Sequence, residues 1–94
     1  MAKAVFNGTV VAESETYEMV EGNIYFPPDS IKSEYFTDSN LNTRCAWKGI
    51  ASYYSLEVDG KQATDVAWYY PDPSEPAMRI KDYVAFYPQV EVER

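Results

Sequence analysis

Ile50-Ala51-Ser52-Tyr53-Tyr54-Ser55-Leu56-Glu57-Val58-Asp59-Gly60-Lys61-Gln62-Ala63-Thr64-Asp65-Val66-Ala67-Trp68-Tyr69-Tyr70 reads as two strands around one turn. The arms are residues 50–58 and 61–70, and Asp59-Gly60 is a two-residue pair suited to a tight hairpin turn. Such a turn fixes register. Tyr53 is then expected opposite Val66, Ala51 opposite Trp68, and Gly49 opposite Tyr70. Side chains alternate with period two, so Tyr53, Val66, Trp68 and Tyr70 share one face. Cys45 and Trp47 join them if the extended chain continues backward. The other face carries Ile50, Tyr54, Leu56, Val58 and Ala67. Both faces are largely apolar, so one is expected against the core and the other beneath a loop or a second sheet.

Outward from this hairpin the pattern stays strand-like. Ala4-Val5-Phe6 and Thr9-Val10-Val11-Ala12 flank Asn7-Gly8, which predicts a second tight hairpin. Residues 17–20 and 24–26 predict two strands around Glu21-Gly22-Asn23. Pro27-Pro28 ends the latter, and Asp29 or Ser30 is placed to cap a short helix over 31–36. Residues 37–43 are polar and read as a loop. Beyond the central hairpin, Pro71, Pro73 and Pro76 punctuate a segment with one turn of helix near 75–80. Residues 83–87 and 90–92 predict the last strands. With no internal repeat or linker, this is a single domain, 1–94, of mainly β class: a small antiparallel two-sheet domain with one or two short helices.

Composition removes several functions. The 94 residues carry a net charge of −7, which opposes nucleic-acid phosphates and anionic membrane surfaces alike. No apolar run approaches the roughly 18 residues needed to span a bilayer. Met1–Phe6 is too short and too soon interrupted for a secretory signal, and one cysteine cannot make an internal disulfide; both point to the cytoplasm. The absence of histidine removes Ser-His-Asp and Cys-His catalysis within one chain. It also removes a Cys/His zinc site, and no calcium-loop pattern is present, so neither a metal nor another cofactor is expected. Nine tyrosines stand out. Each buries a ring while keeping a polar tip, which suits rims and clefts.

Ala12-Glu13-Ser14, Tyr25-Phe26-Pro27, Cys45-Ala46-Trp47-Lys48-Gly49, Ala51-Ser52-Tyr53-Tyr54, Ala67-Trp68-Tyr69-Tyr70-Pro71 and Tyr83-Val84-Ala85-Phe86-Tyr87 occur in an order that resembles the family called domain of unknown function 427. The resemblance covers essentially the whole chain. Ala46 departs from the family form, which usually carries proline there. The resemblance implies an Mss4-like, or β-tent, architecture of two small antiparallel sheets meeting at an angle. Relatives of that shape often pin the sheets with a cysteine-bound zinc; this chain must use aromatic packing instead. The family's nucleotidyltransferase-like label finds no support in the residues. Phosphoryl transfer needs a glycine-rich loop, or paired metal-binding carboxylates with basic residues.

The candidate site centres on residues 44–49. Arg44 and Lys48 flank Cys45 and favour a thiolate. Without a histidine as base, however, Cys45 reads as a small buried hydrophobe rather than a nucleophile. Lys48 reads either as an anion-binding or catalytic amine beside Gly49, where backbone can approach a ligand closely, or as a solvated surface lysine or a partner for Glu13. Trp47, Tyr53, Trp68 and Tyr70, set against small Gly49 and Ala51, either interlock as core or line a concavity. The leading expectation is a small-ligand or partner-binding module, with these four rings for contact and Lys48 and Glu13 for orientation. The alternatives are an enzyme using Lys48 with Glu13 or Cys45, and an interaction protein whose exposed tyrosines form an oligomer interface. Self-association is allowed but not predicted.

Overall fold

The computed structural model describes residues 1–94. Nine strands follow one another: β1 (Ala2–Phe6), β2 (Thr9–Ser14), β3 (Glu18–Val20), β4 (Asn23–Tyr25), β5 (Phe36–Cys45), β6 (Gly49–Val58), β7 (Lys61–Tyr69), β8 (Ala85–Phe86) and β9 (Glu91–Glu93). They form three antiparallel sheets, ordered β2-β1-β9, β3-β4 and β5-β6-β7-β8. The chain is therefore mainly β, as its patterning predicts. The only helical segments are 3-10 turns at Pro28–Ser30, Ser33–Tyr35 and Glu75–Ile80. No helix is long and apolar enough to cross a membrane.

Three tight turns set the frame. Asn7-Gly8, Glu21-Gly22 and Asp59-Gly60 all hold positive φ at both positions, the geometry that matches strand twist in two-residue hairpins. β1 alternates cleanly: Ala2, Ala4 and Phe6 are buried. In β2 a register shift opposite Ala4/Val5 turns both Val11 and Ala12 inward.

The β6–β7 hairpin separates two cores. Leu56, Val58, Val66 and Ala67 join Ala2, Ala4, Phe6, Val11, Ala12 and Phe26 in the larger one, with Tyr54 and Tyr69 packed against it. Ala51, Tyr53 and Tyr70 join Val20, Tyr25, Ala77, Ile80 and Ala85 in the smaller one, with Trp68 and Cys45 against it. Both faces of the hairpin are thus covered, the second by the β3–β4 hairpin and the 3-10 turn at Glu75–Ile80.

Several sequence expectations are corrected. The register set by Asp59-Gly60 holds only through Leu56↔Ala63. Beyond it, three residues of β7 lie opposite Ser55, and Tyr53 faces Trp68 rather than Val66. Asp65, at φ 56°, forms this bulge. The slip is two residues, so Tyr53 and Trp68 keep a common face, while Val66 turns into the larger core. Ile50 is exposed rather than packed.

Residues 37–43 are not a loop. They belong to β5, an edge strand paired along β6 with its own irregularity between Asp38 and Asn42. The strand is mostly exposed, so its polar residues carry no burial pattern to read. The two bulges meet across β6, where Ser39 Oγ donates to Asp65 Oδ1. The helix expected over 31–36 breaks into short 3-10 turns without side-chain caps, because Ile31 bridges to Ala12 of β2 instead.

Candidate functional site

The backbone does not run extended through residues 45–49. Cys45 pairs with Gly49, so Ala46, Trp47 and Lys48 form the turn between β5 and β6. Asp72 to Ser74 straps this turn from outside. The Ser74 N–H donates to the Lys48 carbonyl at 2.9 Å, and its hydroxyl donates to the Trp47 carbonyl. Gly49 has φ 115°, and a Cβ there would lie 3.4 Å from the Asp72 carbonyl oxygen. The close approach for which glycine is needed is therefore made by the chain's own strap.

Strapped this way, the turn points Lys48 inward. It is 4% exposed and is the one charged residue among the buried set. Its ammonium pairs with Glu21, at the tip of the β3–β4 turn, whose side chain is 53% exposed. Trp47 Nε1 donates to the other carboxylate oxygen at 3.2 Å. The ammonium also lies 4.9 Å from the Trp47 ring centre and 5.8 Å from that of Tyr70, so two aromatic rings offer it their faces.

Below Lys48 the small cover over the second core leaves a cleft of about 250 Å³. The β3–β4 hairpin contributes Glu21, Asn23 and Tyr25; the central sheet contributes Thr43, Tyr53 and Trp68; Lys48, Tyr70 and Tyr87 complete it. A larger concavity of about 410 Å³ runs past Phe6, Lys61, Thr64 and Gln89, but no buried charge opens into it. No three acidic or thiol side chains converge on a metal-holding position.

The hydroxyls of the cleft divide into two groups. Thr43 Oγ1 and Tyr53 OH lie 2.8 Å apart, and Tyr53 OH lies 3.3 Å from Tyr87 OH, so two of the three protons of this group are used within it. Tyr25 accepts from Trp68 Nε1 at 3.1 Å, with the two rings edge to face, which leaves the Tyr25 proton unused. Tyr70 is 5% exposed, yet its hydroxyl has no partner in the protein; it is not sealed in, and opens on the cleft.

Electrostatics follow the geometry. The Lys48 hydrogen bond, and then that from Trp47, hold the Glu21 carboxyl below its usual value. Burial works to lower the Lys48 ammonium, but Glu21 together with Tyr25 and Cys45 outweighs it and the net direction is up. Burial raises the Tyr25 and Tyr70 hydroxyls, so both stay protonated donors at neutral pH. Tyr87 is pushed up to about 12, first by its hydrogen bond with Tyr53 and then by burial. For Cys45, burial acts upward, but the backbone N–H groups of Lys48 and Trp47 and the Lys48 ammonium prevail, and the thiol falls below its usual value.

Of the residues singled out in the sequence, Lys48, Tyr53, Trp68 and Tyr70 meet around this one cleft. Trp47 does not line it; it is 40% exposed and acts from outside on Lys48 and Glu21. Glu13 does not pair with Lys48. It is exposed on β2, opposite Lys3, in a different sheet, and the carboxylate on Lys48 is that of Glu21. Cys45 is half-buried against the smaller core. Sequence reading missed Glu21, Tyr25, Asn23, Thr43 and Tyr87. The Glu21-Gly22 pair did signal a hairpin tip, but nothing local signalled that the tip would reach a lysine 27 residues away.

Fold and site together define a small β domain in which a buried lysine and a set of tyrosines border one cleft. Its family membership agrees with the block order in the sequence: the chain belongs to the family described as Domain of unknown function (DUF427), whose model matches residues 1–94. No curated protein matches the chain.

Proposed function

We propose that this domain binds a small organic molecule in the cleft, with Tyr53, Trp68 and Tyr70 giving contact area and Lys48 and Glu21 giving orientation. One observation carries the reading: a buried ammonium and an unpartnered tyrosine hydroxyl border the same opening. Glu21 engages only part of the ammonium, and the Tyr70 hydroxyl is open to the cleft, so both can donate to a molecule that displaces water there. The test is thermal melting and tryptophan fluorescence against a metabolite library. A ligand present at 100 times its Kd stabilises by about 2.7 kcal/mol, which raises the Tm of a domain this size by roughly 10–20 °C. Lys48→Met is expected to abolish the shift. A library in which nothing moves either signal sinks the reading.

A second reading, an enzyme of unassigned class, draws on the lowered Cys45 thiol beside Lys48. Lys48 and Cys45 would act as acid–base or nucleophilic groups, and Glu13 has no part in it. Alkylation of Cys45 across pH decides. A rate midpoint clearly below the roughly 8.5 of an ordinary thiol supports an activated thiolate, and a thiol inert up to about pH 9 removes it.

The same proposal reads the architecture as Mss4-like, or β-tent, supported by a three-stranded and a four-stranded sheet that share the larger core. It takes the domain as cytoplasmic, supported by a single free cysteine. It assigns a small-molecule ligand and no nucleic-acid or membrane role, supported by the net charge of −7. No oligomer is required.

A further inference from the structure

The groups around the cleft are unequal in what they offer a ligand. An ammonium has three N–H donors and no acceptor, and Glu21 engages only part of that set on Lys48. Tyr25 accepts from Trp68 and keeps its own proton free. Tyr70 has its proton free as well. Thr43, Tyr53 and Tyr87 share two hydrogen bonds and keep one proton free among the three, which adds to the donors. Against these donors stands a single charged acceptor, Glu21, and it belongs to the least enclosed part of the site. Its side chain is half exposed at the end of a two-residue turn, whereas the Lys48 side chain is 5% exposed. Glu21 can return to water at little cost. Lys48 cannot be left without an acceptor, because an uncompensated buried charge is strongly unfavourable.

We propose that the ligand carries an oxyanion, a carboxylate or a phosphate on a ring-bearing body, and that Glu21 holds the anion's place in the free protein. This rests on the ligand-binding reading above and names the ligand's class. On binding, the incoming anion replaces Glu21 on Lys48 and accepts hydrogen bonds from the free hydroxyls of Tyr25 and Tyr70, and the ring lies against Trp68. One carboxylate is exchanged for another oxyanion, so Lys48 stays paired throughout. A cationic ligand would instead meet a buried ammonium whose only carboxylate is already engaged. The net charge of −7 repels anions at long range, so the affinity comes from short-range donors, and added salt is not expected to weaken it.

The chain has two tryptophans, so its indole N–H groups give two resolvable NMR resonances. Trp68 bonds to Tyr25 and reports occupancy of the cleft; Trp47 bonds to Glu21 and reports its release. The probes are benzoate, phenyl phosphate, benzamide and benzylammonium. At least one of the two anions is expected to move both resonances, and to bind about tenfold or more tighter than the neutral and cationic rings. Which anion binds tighter separates carboxylate from phosphate. Glu21→Gln removes the internal competitor and is expected to tighten that anion about tenfold. Tyr70→Phe removes a donor to a charged acceptor and is expected to weaken it about tenfold. Equal or tighter binding of benzamide or benzylammonium overturns the anion assignment and leaves a ligand site standing. So does a Trp47 resonance that stays still while Trp68 moves, or a Glu21→Gln variant that binds more weakly. If none of the four probes moves either resonance up to its solubility limit, the oxyanion assignment fails, and the metabolite library decides separately whether the cleft binds any ligand.

Discussion

On one face of β6 and β7, Tyr54, Leu56, Val58 and Ala67 pack with Ala2, Ala4 and Phe6 of β1, under a three-stranded sheet. On the other face, Ala51, Tyr53, Trp68 and Tyr70 lie beneath a two-stranded hairpin and one 3-10 turn. The same two strands supply both faces, so neither strand geometry nor gross apolarity explains the difference. The cover does. A three-stranded sheet with Phe26 and Phe86 edge to face fills its side with apolar atoms. The smaller cover leaves room that tyrosine tips and a lysine occupy without closing. The first face stores stability, and the second holds polar groups in readiness.

If that division is right, deleting bulk from the first face is the most damaging single change. Phe26 is fully buried, and its backbone pairs with Val84 in both directions at 2.8 Å. Phe26→Ala keeps those backbone bonds and leaves a cavity, with an expected loss of about 3–5 kcal/mol in denaturant unfolding. A loss under about 1 kcal/mol would mean that the larger core is not the main store of stability.

The boundary between the faces rests on Asp65. Its left-handed φ of 56° inserts the bulge that turns Val66 into the larger core and sets Trp68 opposite Tyr53. A β-branched residue is strained there, so Asp65→Val is expected to cost about 1–3 kcal/mol, and Asp65→Gly less, since glycine accepts that φ. Because the bulge aims Trp68, the valine variant is also expected to move the Trp68 indole resonance. An unchanged resonance together with full stability would show that the bulge is not what partitions the two faces.

Acid separates the faces more gently. Lys48 and Trp47 hold the Glu21 carboxyl below its ordinary value of 4.5, so the contribution of the pair is fully present above that pH. It is lost as pH falls through the lowered value in the folded protein. Lys48 is raised, so on the alkaline side its contribution is present below 10.5 and fades as pH rises through its own higher value. The Trp47 resonance is therefore expected to titrate with a midpoint below 4.5 while the larger core stays folded. A midpoint at or above 4.5 would break the assignment of Glu21 to Lys48.

What could be read from sequence follows the same division. The Asn7-Gly8 and Asp59-Gly60 turns and the apolar set Tyr54, Leu56, Val58 and Ala67 were legible because turn chemistry and alternation are local. β5 was illegible because an exposed edge strand takes its order from hydrogen bonds to β6 and needs no apolar pattern of its own. The bulges were illegible because Ser39 and Asp65 meet across an intervening strand. In the site, the rings and Lys48 could be singled out by type. Their carboxylate could not, since Glu13 and Glu21 differ only in where the chain brings them.

The finest distinction lies within the second face, between two tyrosines of nearly equal burial. Tyr53 and Tyr70 are each 5% exposed. Tyr53 shares a hydrogen bond of 2.8 Å with Thr43, so Tyr53→Phe leaves Thr43 short of a partner and is expected to cost about 1 kcal/mol. Tyr70→Phe removes a hydroxyl bonded to nothing in the protein, and the ring, which supplies the packing, remains. Its expected cost is within about 0.5 kcal/mol of zero. Equal losses in the two variants would mean that the Tyr70 hydroxyl serves the fold after all. A loss at Tyr53 alone would mark Tyr70 as a group whose partner arrives from outside.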